Sequence, residues 1–143
     1  MNIEVKTITT EDKSQIFSIR EQVFVEEQHV PPDLEIDEHE DEATHFIALV
    51  DARPAGTARL RWKDRHTAKA ERVAVLKEYR GYGIGKALMC ALEQEAKRRQ
   101  ATSVELHAQT HARLFYEHLG YRAYGDVFLD AGIEHIAMEK DLS

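Results

Sequence analysis

The stretch Val73-Ala74-Val75-Leu76-Lys77-Glu78-Tyr79-Arg80-Gly81-Tyr82-Gly83-Ile84-Gly85-Lys86 constrains this chain more than any other. Val73 and Val75 are β-branched and flank a small Ala74, which suits a buried strand. Gly81, Gly83 and Gly85 follow at alternate positions, open to backbone angles closed to other residues and without a Cβ to block a ligand. Ile84, Ala87, Leu88, Ala91, Leu92 and Ala96 then repeat at three- and four-residue spacing, which predicts a helix with one apolar stripe. A strand running through glycines into a helix presents unpaired N–H groups at the positive end of the helix dipole. Such a helix start is an anion site, and phosphate is its usual occupant.

Two phosphate loops are excluded by counting. A Walker A loop would place a glycine at Arg80 and a hydroxyl at Ala87. A dinucleotide fingerprint would place its third glycine at Leu88. The pattern that remains is Arg80-x-x-Gly83-x-Gly85, with Arg80 able to add a fixed positive charge.

The 143 residues suggest one domain, spanning 1–143, with room for a proper core. A net charge of −7 argues against a nucleic-acid partner, which would call for a basic face. No apolar run is long enough to span a membrane or follows a basic segment as a leader would, so the expected location is the cytoplasm. The lone Cys90 excludes an internal disulfide and, on a helix, is expected as a packed thiol.

Along the chain, Ile3 to Thr7 alternates as a strand, and Thr10 is expected to cap a helix reaching about Glu26. Pro31-Pro32 stops regular structure. Asp33 to Glu42 is dense in acids and admits two readings. One is a solvated loop, the other a negative rim that attracts an amine. A calcium loop fits poorly, with Glu38 where glycine and Thr44 where glutamate are required. His45 to Val50 and Thr57 to Trp62 read as a hairpin around the turn residues 51–56, with Arg59 and Arg61 on one face. Ala70 to Leu76 is the next strand, and the glycine-led helix runs to about Gln100. Ser103 to His107 reads as a strand, then a short helix capped by Thr110 and closed by Gly120. Tyr121 to Tyr124 and Ile133 to Met138 form a terminal antiparallel pair. That order predicts a mixed sheet with helices on both faces.

On these residues the chain resembles the GNAT acyltransferase superfamily, which binds acetyl-coenzyme A (acetyl-CoA). The glycine loop is similar to its pyrophosphate loop. Phe115-Tyr116-Glu117-His118-Leu119-Gly120-Tyr121 is similar to its late helix and strand. Arg20 to Gln28 with the acidic run to Asp37, and Gly132 to Met138, are similar to ElaA-like (YjcF-type) members. The resemblance implies an α/β fold whose mixed, mostly antiparallel central sheet splays at the cofactor-binding strand. It implies that Val73, Ala74 and Val75 hold the pantetheine arm of acetyl-CoA by their backbone, as if it were an added strand. It implies that the N–H groups of Arg80, Gly81, Tyr82, Gly83, Ile84, Gly85 and Lys86 hold the pyrophosphate. Tyr116 falls where members keep a tyrosine that protonates the leaving thiolate. Many members carry an asparagine at the start of the late helix, where this chain has Thr110 or His111.

The implied reaction is acetyl transfer to a primary amine of a small molecule or peptide, by a monomer or homodimer. The amine must lose a proton and the carbonyl must be polarised, the latter by backbone amides near Val75. Glu71, on the cofactor strand, is the first candidate base, with Glu26, Glu27 and Asp37 as alternatives. His107 and His135 lie on predicted strands and could reach the cleft, though a buried, hydrogen-bonded structural histidine is the expected reading. No histidine pair has zinc spacing and no Gly-x-Ser-x-Gly occurs, so neither a metal nor a serine nucleophile is expected. Two rival readings stay open: a coenzyme A (CoA)-binding sensor without turnover, and a nucleotide-binding protein using the glycine turn for ATP.

Overall fold

A computed structural model of the chain describes residues 1–8 and 12–142. Seven strands form one sheet in the order β1-β2-β3-β4-β5-β7-β6. They are β1 (Ile3–Thr7), β2 (Thr44–Val50), β3 (Arg53–Trp62), β4 (Thr67–Val75), β5 (Ser103–Gln109), β6 (Arg122–Asp130) and β7 (Ile133–Asp141). All neighbours are antiparallel except β4 and β5. The crossover between those two is helix α3 (Ile84–Arg98), which buries Ile84, Leu88, Met89, Leu92 and Ala96 on one face of the sheet. They pack with Ala58, Leu60, Ala68, Ala70, Val104, Leu106 and Met138.

The opposite face of β2–β4 is covered by α1 (Ser14–Arg20), which continues as a π-helical segment, Glu21–Glu27. Ile19 and Val23 pack there on Ile47, Ala74 and Leu76. The expected cap Thr10 lies outside the described residues. Pro32 does not end regular structure; it opens the one-turn helix α2 (Pro32–Glu35), where a fixed φ and a missing N–H suit the first position. The turn between β2 and β3 is shorter than expected, because Asp51 and Ala52 take positive φ values of 50° and 70° and β3 starts at Arg53.

In the acidic segment Asp33, Glu38, Asp41 and Glu42 are solvated as one reading expected, but Glu35, Asp37 and Glu40 are drawn inward and paired. Arg20, fully buried, donates to both Glu35 oxygens and to Glu40 at 2.7–3.2 Å. Arg59, 1% exposed, donates to Asp37 at 2.8 and 3.0 Å and to Glu71 at 2.8 Å. Arg72 reaches Glu35 and Asp37. Net acidity hid this, because the neutralising arginines stand far off in sequence on α1, β3 and β4.

Burial alone would raise the Glu40 carboxyl, but the hydrogen bonds of Arg20 and the Asp37 N–H outweigh it and hold the group at about 2. Asp37 lies still further below its ordinary value: burial opposes the shift, and Arg59 with the His39 N–H overrides it. A carboxyl depressed in the fold contributes stability present above its unfolded value and lost as pH falls through the folded one. His45, 2% exposed, is depressed by burial and must stay neutral, so it acts in the same direction below its ordinary 6.5. The melting temperature is therefore expected to hold from pH 7.5 to 6.5 and to fall continuously from there to pH 3. A flat thermal-denaturation series down to pH 4 would contradict the network.

Candidate active site

Strands β4 and β5 are paired only from Thr67↔Ser103 to Ala70↔Leu106. Beyond that, β4 stays with β3, pairing Ala74 with Thr57 and Val75 with Gly56, while β5 stays with β7 as far as Gln109↔His135. The parallel pair therefore splits. A bulge sits at the split: two steps on β3, Thr57 to Arg59, match three on β4, Ala74 to Glu71. Arg72 there takes φ +53°, a left-handed angle that costs a non-glycine about 1–3 kcal/mol. Its guanidinium anchors to the Glu35 carbonyl and carboxylate, so α2 holds the bulge in place.

The bulge decides what faces the split. The Leu76 N–H bonds the Ala55 carbonyl on β3 at 2.8 Å. Strand alternation then points the backbone groups of Val75 and Val73 away from β3, into the gap. The cleft that opens there has a volume of about 270 Å³. Its walls include Phe24 and Gln28 from the π-helical segment, Glu71 and Val73 from β4, His107 and Gln109 from β5, Tyr116, and His135.

Just past β4, a 3-10 turn (Lys77–Tyr79) leads to the glycines. Gly81 and Gly83 take φ +87° and +84°, and a Cβ at either would meet nothing within 4 Å. The glycines are therefore required by backbone angle, not by crowding. Gly83 is the N-cap of α3 and offers no side chain to its N–H groups. The first helical bond at this end runs from Ala87 N–H to Gly83 O, so the N–H groups of Ile84, Gly85 and Lys86 have no acceptor within the helix. The first turn of α3 carries no acidic residue. Ile84 contributes its side chain to the core and only its amide to this end. Gly85 is needed for a second reason: a Cβ there would stand 3.1 Å from the Phe115 ring. Tyr82 and Lys86 are exposed. The Arg80 side chain is not free at the loop. Its Nε donates to the Val75 carbonyl at 2.9 Å, and its two terminal nitrogens hold Glu27 at 3.0 Å each.

Tyr116 lies on α4 (Arg113–His118), buried among core residues, and burial pushes its hydroxyl up to about 12. Its position is held by a Gly120 closure, with Tyr121 N–H to Tyr116 O and Gly120 N–H to Glu117 O both at 3.0 Å. Thr110 does not cap this helix; residues 110–112 form a 3-10 turn and no side chain caps α4. Glu71 lines the cleft, but Arg61 donates to it at 2.6 and 3.1 Å and Arg59 at 2.8 and 3.2 Å. Burial opposes the shift, yet the Arg61 bond and the Arg59 charge hold this carboxyl at about 2. Cys90 is exposed on α3, not packed. His107 and His135 are not buried: the first is exposed in the cleft wall and the second half-buried beside it.

Two features had no sequence signal. One is the left-handed Arg72, since nothing in Glu71-Arg72-Val73 marks a bulge. The other is a relay across the cleft, Gln109 Nε2 donating to Gln28 Oε1 and His111 Nε2 to Gln109 Oε1, each at 2.7 Å. Its members lie on three separate elements.

The model of the acetyltransferase (GNAT) domain matches residues 5–142. The chain belongs to the GNAT family. The Bacillus subtilis N-acetyltransferase YjcF is 43% identical over 141 residues, 96% of this GNAT domain and all of that protein, which supports the branch read from the sequence. The crystal structure of Escherichia coli ElaA superposes with a TM-score of 0.85 at 24% identity, covering 98% of this chain and 100% of that one. A GNAT acetyltransferase from Elizabethkingia anophelis, solved with acetyl-CoA bound, superposes with a TM-score of 0.78 at 18% identity over 99% of both chains. The GNAT fold, with a mostly antiparallel sheet that splays between β4 and β5, is thus the fold of this chain. Among the described residues no cluster of metal-ligating side chains occurs, and no helix is long and apolar enough to cross a membrane.

Proposed function

We propose that this GNAT domain transfers the acetyl group of acetyl-CoA directly to a primary amine of a small molecule or peptide. The observation that carries the reading is the split between β4 and β5, with the Val73 and Val75 backbone turned into it and the bare N–H groups of α3 at its mouth. A pantetheine arm has amide donors and acceptors that suit an edge β5 does not pair, the Val75 carbonyl being taken by Arg80 Nε, and a diphosphate suits the glycine-led helix start. The neighbour from Elizabethkingia anophelis holds acetyl-CoA on the same fold.

In this reading the backbone of Val73 and Val75 aligns the thioester and an N–H near Val75 polarises its carbonyl, whereas Ala74, expected to share in this, turns its own backbone groups to β3. The amides from Gly81 to Lys86 grip the diphosphate; that of Arg80, expected to join them, is taken by the Lys77 carbonyl at 3.3 Å. Tyr116 keeps its proton at neutral pH and delivers it to the departing thiolate. Glu71 is a poor base, because two arginines occupy its oxygens and hold it ionised far below neutral pH. Asp37 and Glu27 are committed to arginines in the same way. That leaves no free carboxylate base among the expected ones in the cleft wall, the one observation that favours the sensor reading.

Titration calorimetry with CoA and thiol release on a panel of amines, aminosugars and lysyl peptides separate the two. Binding with release supports transfer; binding with none supports the sensor. Tyr116→Phe is expected to lower kcat roughly 10- to 100-fold, the lower part of what a positioned acid supplies, with CoA affinity unchanged. Turnover within twofold of the parent would remove the acid role.

A further inference from the structure

Glu71, the expected carboxylate of the cleft wall, is held by two arginines, and the cleft offers another group to take the proton that an ammonium acceptor must lose. On β5, Leu106 and Ala108 turn into the core beneath α3, so His107 and Gln109 face the opposite side. The α3 side is closed by Ile84, Leu88, Leu106 and Tyr116. An acceptor therefore reaches the split from the His107 side. The last paired residues are Ala70 and Leu106, which makes His107 the first β5 residue within the split. Tyr116 sits on one side of that split and His107 on the other, so a proton donor and a proton acceptor flank the place where a thioester would lie.

We infer that His107 is the general base that deprotonates the acceptor amine. The inference rests on the acetyl-transfer reading above. Three observations support it. Neither ring nitrogen of His107 has a protein hydrogen-bond partner among the described residues, and the ring packs edge-on to Phe128 at 5.1 Å. Phe128 is stacked on its other side by His135 at 5.9 Å, so the ring that steadies His107 is itself held. His135 Nδ1–H donates to the Ile133 carbonyl at 2.7 Å, since a carbonyl can only accept, and this bond fixes the orientation of the His135 ring. The groups facing His107 are Lys69 and Glu71 on β4, Glu105 on its own strand, Asp130 on β6 and His135 on β7. Burial comes first and Lys69 second in pulling His107 below its ordinary 6.5, with Glu105 and Asp130 opposing. The imidazole is therefore neutral, and competent as a base, at neutral pH.

The step balances. His107 takes one proton from R–NH3+ and passes it to solvent through the open side of the cleft. The nitrogen lone pair forms the C–N bond to the acetyl carbon as the C–S bond breaks, its electron pair leaving on sulfur. Sulfur takes the Tyr116 proton, and the second proton lost by nitrogen restores the tyrosine. R–NH3+ and acetyl-CoA thus give R–NH–CO–CH3, CoA thiol and H+.

The test uses the full chain, CoA alone for binding, and the best acceptor of the amine, aminosugar and lysyl-peptide panel for turnover. His107→Gln is expected to lower kcat/KM 30-fold or more and to abolish the acid limb of its pH profile, whose parental midpoint lies below 6.5. Its CoA affinity should stay within twofold. His107→Ala is expected to regain activity with added imidazole, which a purely structural loss would not. His135→Gln should keep the acid limb. Turnover of His107→Gln within threefold of the parent, or an acid limb that survives in it and vanishes in His135→Gln, overturns the assignment while leaving acetyl transfer intact. Parental protein that binds CoA yet acetylates nothing in the panel overturns both together.

Discussion

Replacing Arg59 with methionine is expected to lower the free energy of unfolding by about 3–5 kcal/mol, the range for breaking a buried ion pair from one side. Methionine matches the length of the arginine stem, so the loss is not mainly one of volume. It arises because Asp37 and Glu71 keep their charges and lose donors that reach them at 2.8–3.2 Å. Arg61 still serves Glu71 and Arg72 still serves Asp37, which keeps the effect from being larger. Urea unfolding of Arg59→Met, Glu71→Leu and the double variant gives the coupling. The double variant should lose clearly less than the sum, since the Arg59–Glu71 bonds are then lost only once and neither of that pair is left facing an absent partner. Strict additivity would show that the cluster is solvated and contributes little.

Gly83→Val is expected to weaken CoA binding on the order of 100-fold, about 2.8 kcal/mol at 1.4 kcal/mol per decade. A β-branched residue cannot hold φ +84° without strain of about 1–2 kcal/mol. The start of α3 must then rotate, and the three amides after it lose their common aim. The core beneath is untouched, because no atom lies within 4 Å of a Cβ at this position. Melting should therefore fall by only a few degrees while calorimetry registers the loss of binding. Parental affinity in this variant would place the diphosphate elsewhere.

The strand–glycine–helix stretch was legible because its chemistry is local. Angle-demanding glycines and an apolar stripe lie within one continuous run, and the structure puts Gly81 and Gly83 at positive φ and Ile84 and Leu88 in the core. The order of elements and the sheet class followed from similarly local patterns. What the sequence concealed was pairing at a distance. Nothing near Asp37 or Glu40 announces Arg20 or Arg59, so the sequence does not show that three acids of the run, Glu35, Asp37 and Glu40, are half or wholly buried. The same blindness affected the histidines. His107 was expected as a buried structural histidine, but it alternates with the core residues Leu106 and Ala108 and so faces the open cleft. Thr110 is a good cap residue, yet the chain enters α4 through a 3-10 turn that carries it out of reach.

The odd residue at Arg72 has a consequence for how this strand tolerates change. A β-ladder counts in twos, so a single added residue exchanges inside for outside over everything downstream. Below it, β4 shows ionic side chains to the helix-α1 layer; above it, the same layer meets Ala74. Evolution can therefore alter the lower half, with its arginine partners, without disturbing the parity of the upper half. Loss of that one position would turn two valines toward a charged lattice and carry the main-chain edge they present around to β3.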